Sequence, residues 1–220
     1  MKKIKPLELK IPQISTQFFD EPKLLFAKGG VHTNPQLGIT LYGPRSLYTS
    51  RHKQEVHIGF IGTEEAIEKA RNFYMNLAEG IPDDNNQIDF PGCKIDRGFR
   101  CELRIDDNLF ESITRKEILD ILDVRRQEER FNSCVELLKR KLELLTQRGY
   151  PLDYIVFVPP HSLIKKCGVA DYKVNKVNVH RDLRRAFKAV AMRFHKPTQI
   201  LQETTLKISR SKIIWVESNE

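Results

Sequence analysis

The chain has little of what marks a membrane, secreted or nucleotide-cradling protein. Its longest uncharged apolar run, Tyr154-Ile155-Val156-Phe157-Val158, falls far short of the roughly 20 residues a membrane-spanning helix needs. The opening MKKIKPLELKIPQ has basic residues with no apolar stretch behind them, so no secretory signal and no membrane partner are expected, and the cytoplasm is the expected compartment. The four cysteines, Cys93, Cys101, Cys134 and Cys167, form no CxxC pair and have no histidine at zinc-like spacing. Reduced thiols are expected, with Cys134 on the buried face of a helix, and no metal site. Gly59 and Gly62 lack the third glycine of the dinucleotide fingerprint, and no GKS or GKT follows, which predicts a tight turn rather than a phosphate cradle. Ser162 beside His161 has no indicated acid partner, and the carboxylates are expected mostly as solvated ion pairs on helix surfaces. No catalytic residue is assigned.

What the chain does have is localised positive charge. Over 220 residues the net charge is +8. Residues 161–220 hold thirteen Lys and Arg against five Asp and Glu, whereas residues 1–160 hold 24 of each. A neutral body with one positive end points to a localised polyanion site. A solvated helix face is the plainer alternative.

Hydrophobic periodicity predicts the organisation. Residues 1–53 are irregular and turn-rich, with Pro6, Pro12, Pro22, Gly29-Gly30, Pro35 and Gly43-Pro44. Short extended pieces are expected at Leu24 to Phe26 and Gly38 to Leu41, in a segment that leans on something else. Residues 54–206 form the main unit. Val56 to Gly62 reads as a strand, and Thr63 caps a helix carrying Ala66, Ile67, Ala70, Phe73, Tyr74 and Leu77. Residues 82–97 read as a loop and Phe99 to Ile105 as a strand. Helices follow at Ser112 to Asp123 and Gln127 to Arg148, and Tyr154 to Val158 reads as a central parallel strand. A basic loop over 161–177, a helix over 178–195 and a strand at Thr198 to Leu201 complete the pattern, with 207–220 as a tail. The fold class is α/β, a Rossmann-like open parallel sheet flanked by helices. Ligands of such sheets sit beyond the carboxyl ends of the strands, where Pro159 feeds the lysine-rich segment.

In NVHRDLRRAFKAVAMRFH, residues 178–195, helical spacing gathers Val179, Leu183, Ala186, Phe187, Val190 and Phe194 on one arc. His180, Arg181, Arg184, Arg185 and Lys188 fall on the opposite arc. Asn178 is the expected N-cap, leaving free N–H groups for an anion. Arg184 and Lys188 stand one turn apart, suited to gripping one phosphate. Gln199, beyond Pro197, is expected to bring its amide to the same anion.

The run HRDLRRAFKAVAMRFHKPTQILQETTL resembles the end of the MID domain of prokaryotic Argonautes. LLFAKGGVHTNPQLGITLYGP resembles the opening of the compact Argonautes that lack N-terminal and PAZ domains, and EVHIGFIGTEEAIEKARNFYMNLAEGIP resembles the first β-α unit of that region. The matches run in family order from about residue 24 to 206. The resemblance implies that Lys188 and Gln199 occupy phosphate-binding positions. Arg184 stands where many relatives place a base-stacking tyrosine, and a guanidinium also stacks on a base. Lys173 and Lys176 fall in a loop that approaches the first nucleotide, and His180 and Arg181 are further possible guide contacts. The implied partner is a small guide RNA or DNA with a 5′-phosphate, and with it a target nucleic acid. A bridging magnesium ion is implied only where a PIWI region or a C-terminal carboxylate supplies the rest of its site. The family's RNase H-like PIWI residues have no counterpart in this sequence, so no nucleic-acid cleavage is expected.

The alternative of another class is a MID-like scaffold that docks a PIWI or APAZ-type effector protein and binds no guide.

Overall fold

The computed structural model describes residues 17–82 and 88–207. Its first part is a small antiparallel ribbon, β1 (Leu24–Leu25) with β2 (Val31–His32), followed by the helix α1 (Pro35–Tyr42). The extended piece expected at Gly38 to Leu41 is therefore helical. Asn34 starts the helix, its side chain accepting from the Leu37 N–H at 3.0 Å with Pro35 in the first turn, where a missing N–H costs nothing. Gly38 lies against Phe26: a Cβ there would stand 2.0 Å from the ring. This close approach lets Phe26 become buried.

The main sheet is parallel throughout. β3 (Glu55–Gly62) leads into α2 (Glu64–Glu79), whose expected cap forms as the Thr63 hydroxyl accepts from the Ala66 N–H at 3.2 Å. Two short strands, β4 (Glu102–Arg104) and β5 (Phe110–Ser112), pair in turn with the lower and upper parts of β3. Then come α3 (Arg115–Leu122) and α4 (Gln127–Gln147). α3 begins with a full capping box in which Thr114 and Glu117 satisfy one another's backbone N–H groups. Next is β6 (Tyr154–Phe157), paired with β3 on one side and with β9 (Thr198–Ile200) on the other, so that the order is β4-β3-β6-β9. This is an α/β, Rossmann-like sheet with helices on both faces.

Gly59 and Gly62 form no turn. Both lie inside β3, where a Cβ on Gly59 would meet Leu152 at 2.7 Å and one on Gly62 would meet the Val158 carbonyl at 2.9 Å. They admit neighbouring layers rather than a ligand. Strand alternation sorts the core. Ile61, Ile155 and Phe157 face a cluster built from α3 and α4, while Ile58, Phe60, Val156 and Val158 face Ala66, Ile67 and Ala70 of α2. The α4 stripe read from sequence is buried at Phe131, Cys134, Leu138, Leu142 and Leu145.

Between β6 and β9 the structure departs from the sequence reading. In place of a basic loop and one long helix it has a short helix α5 (His161–Cys167), a hairpin of β7 (Val169–Val174) and β8 (Val177–Asp182), and a helix α6 (Leu183–Met192). The hairpin turns at Asn175 and Lys176, both with positive φ, 50° and 68°. That left-handed pair suits the two-residue connection whose twist matches antiparallel strands.

Candidate nucleic-acid interface

α6 keeps the amphipathic logic of its sequence over a shorter span. Leu183, Phe187 and Ala191, four residues apart, are buried against the α4 side of the sheet, with Phe187 tilted on Phe157 at 4.7 Å between ring centroids. Arg184, Arg185 and Lys188 are exposed. Arg184 and Lys188 share one edge of the helix, one turn apart. No carboxylate of the described residues pairs with any of these three cations. Elsewhere cations are often held: Arg104 by Glu55 and Glu102, Lys141 by Glu117 and Glu111, Arg148 by Glu111.

The helix start differs from the expected one. Its N-cap is Asp182, whose carboxylate accepts from the Arg185 N–H at 2.9 Å, and Asn178 lies within β8. A negative side chain already satisfies that terminus and repels a second anion there. Any anion bound by α6 must therefore be held by its side chains.

The hairpin redistributes the remaining candidates. His180 sits on β8 opposite Asp171 and its Nδ1 meets the Asp171 carboxylate at 2.7 Å. Arg181 is turned inward: its Nη1 donates to Asn132 at 2.7 Å and its guanidinium lies 4.6 Å above the Phe131 ring. It fastens the hairpin to α4, which is a packing role. Lys173 on β7 and Lys176 in the turn are exposed and carry no ion pair among the described residues. Lys165 and Lys166 lie in the last turn of α5.

Gln199 is not on the face that carries α6. It is in register with Val156, whose side chain belongs to the α2 side of the sheet, whereas its neighbour Ile200 packs on the α6 side. Alternation thus sends the Gln199 side chain to the α2 side, where its amide donates to the Ile200 carbonyl at 3.3 Å. The structure brings Arg184 and Lys188 together; it places Gln199 on the opposite side of an edge strand.

The cysteines are less scattered than their spacing suggests. All four are free thiols, yet Cys93 adjoins Cys101 and Cys134 adjoins Cys167. In each pair the neighbouring thiol, followed by burial, raises one member, Cys93 or Cys134, above the ordinary thiol range. Cys134 is buried on α4 as expected. Among the described residues no group of three or more His, Cys, Asp or Glu side chains is arranged to hold a metal ion, and no helix is long and apolar enough to cross a membrane.

No family model matches the chain, and no curated protein matches it. Among solved structures it is similar to the crystal structure of Aa-Ago with externally-bound siRNA, at 13% sequence identity and a TM-score of 0.41, over 85% of this chain and 20% of that one. The chain thus spans about a fifth of that solved chain.

Proposed function

We propose that this chain binds the 5′-phosphorylated end of a small guide nucleic acid, RNA or DNA, as a non-catalytic anchoring module. The observation that carries the proposal is the pair of exposed cations Arg184 and Lys188, one turn apart on α6 and free of carboxylate partners among the described residues. Arg184 offers a forked set of donors and a plane for stacking; Lys188 offers a compact charge. Arg185, Lys173 and Lys176 add positive potential along the strand's path. The resemblance of residues 180–206 to a guide-binding segment supports the assignment. His180 and Arg181 contribute less, because each already has a partner within the protein.

A magnesium ion at the phosphate would need a carboxylate ligand beside α6. Asp182, the carboxylate nearest Arg184 in sequence, is engaged as a helix cap and does not supply it.

Single substitutions test the assignment by affinity for a 5′-phosphorylated oligonucleotide. Lys188→Ala should weaken binding by roughly 1–3 kcal/mol, the worth of one charge-assisted contact, and Arg184→Ala by a similar amount. Gln199→Ala decides how far the site extends: a comparable loss brings the amide around the sheet edge into the site, and an unchanged affinity leaves α6 as the phosphate ligand. Unchanged affinity in both α6 variants overturns the proposal.

A second reading, a scaffold for an effector protein, is favoured by the exposed apolar groups of the first segment, including Phe18 at 90% and Phe19 at 74% exposure. A co-purifying protein retained after nuclease treatment and in Lys188→Ala supports that reading.

A further inference from the structure

Far from α6 in sequence, residues 27–48 and 95–100 line an open cavity of about 370 Å³, within the roughly 300–1,000 Å³ ordinary for small-ligand sites. The aromatic rings of Tyr42 and Tyr48 and the apolar side chains of Leu41, Leu47 and Ile95 line it, with Lys28 and Arg100 beside them. Among the described residues no acidic side chain lines it.

Arg100 is held there with unusual care. Its backbone is left-handed, φ 54°, a conformation that is costly for a residue with a Cβ. Its carbonyl is fixed by His52 Nε2 at 2.8 Å. Its side chain rises past Gly43, where a Cβ would stand 3.4 Å from the arginine stem. The guanidinium so positioned has no carboxylate among the described residues, and its Nε is buried without a hydrogen-bond partner. A strained backbone and an unpaired cation beside a cavity together support a ligand role for Arg100.

The aromatic walls are also set in place. Tyr42 lies flat on Gly30, where a Cβ would come within 2.3 Å of the ring, and stacks on Phe26 with centroids 6.3 Å apart. Lys28 Nζ stands 4.8 Å over the Tyr48 ring, and that ring remains 66% exposed.

We infer that this cavity binds a nucleotide monophosphate unit, its base stacked on Tyr48 and Tyr42 and its phosphate held by Arg100 and Lys28. Two cations without a carboxylate select an anion and leave an amino acid's ammonium group without an acceptor. Aromatic walls select a planar group, and a base offers a π-face whatever its identity. The same chemistry comes from a free nucleotide or from one residue of a single strand. The inference stands independently of α6.

The test titrates the full chain with AMP and UMP, with adenosine and inorganic phosphate as partial ligands, and with a short single strand. Saturable binding of the monophosphates is expected, with the nucleoside and phosphate alone each at least about tenfold weaker. Tyr48→Ala and Arg100→Gln should each raise Kd by roughly tenfold, in line with the loss of one stacking or charge-assisted contact. Tyr48→Ala carries the test if Arg100→Gln does not fold, since the Tyr48 ring is largely exposed. An azido-substituted AMP should label the peptide containing Tyr42 and Tyr48. A strand that outbinds the free nucleotide makes the ligand part of a strand; equal affinity makes it the free nucleotide. Absence of saturable binding in every arm, or binding that Tyr48→Ala leaves unchanged and that labels another peptide, overturns the inference.

Discussion

Glu111 is the charged side chain on which several others depend. It is 8% exposed on β5, is ion-paired with Arg148, and lies 3.9 Å from Lys141, itself 7% exposed and 3.0 Å from Glu117. Taking such charges out of water is costly, and removing one partner leaves the rest uncompensated. Glu111→Ala should therefore lower unfolding stability by about 3 kcal/mol, read from the shift in urea midpoint. Solvated ion pairs were the expectation for the carboxylates, and sequence alone does not reveal that β5 carries one into the interior.

Two other carboxylates set the acid response. Burial works against the charged form of Asp153, but the His57 N–H at 3.0 Å and the Lys53 ammonium overcome it and hold the carboxyl below its ordinary value. Burial likewise opposes Glu117, and the Thr114 N–H at 2.8 Å and Lys141 prevail. A carboxyl depressed in the folded state stabilises it fully above its unfolded pKa, and that contribution is lost as the pH falls through the folded value. Stability should thus hold down to the ordinary carboxylate range, near pH 4, and fall steeply below it. Asp153→Asn should flatten that slope in denaturation curves run from pH 6 to pH 2.5; an unchanged slope contradicts the assignment.

At the level of elements, the hairpin explains which parts of the site were legible. The residues from Leu183 onward were readable because the buried positions 183, 187 and 191 repeat every four residues. The preceding strand was not, because Val179 also satisfies a helical arc when read together with Leu183 and Ala186. Only the Asn175-Lys176 turn distinguishes the two, and lysine is a poor signal for positive φ. For the same reason the sequence alone offers Asn178 as the N-cap, whereas Asp182 is the one that forms. Lys176→Gly should relieve the left-handed strain and stabilise the protein by about 1 kcal/mol, seen as a higher melting temperature. Loss of stability would show that the Lys176 side chain supports the turn.

At the scale of the whole molecule, the α/β order was readable because β3, α2, α4 and β6 carry long or fully apolar patterns. The pairing of β4 and β5 with one edge of β3, and the side of the sheet on which Gln199 emerges, depend on registers set by tertiary packing. The cavity beside Arg100 was invisible for the same reason: its lining comes from residues 27–48 and 95–100, joined only by the fold. The localised +8 was fully legible, and it gives the molecule a neutral body with a cationic module between β6 and β9. The central claim is that this module recognises a terminal phosphate, and it is tested most directly by anisotropy titrations of one oligonucleotide with a 5′-phosphate or a 5′-hydroxyl, at low and high salt. Binding should favour the phosphate at least about tenfold, an added charge-assisted contact, and should weaken as salt rises. Equal affinity for the two ends contradicts the account.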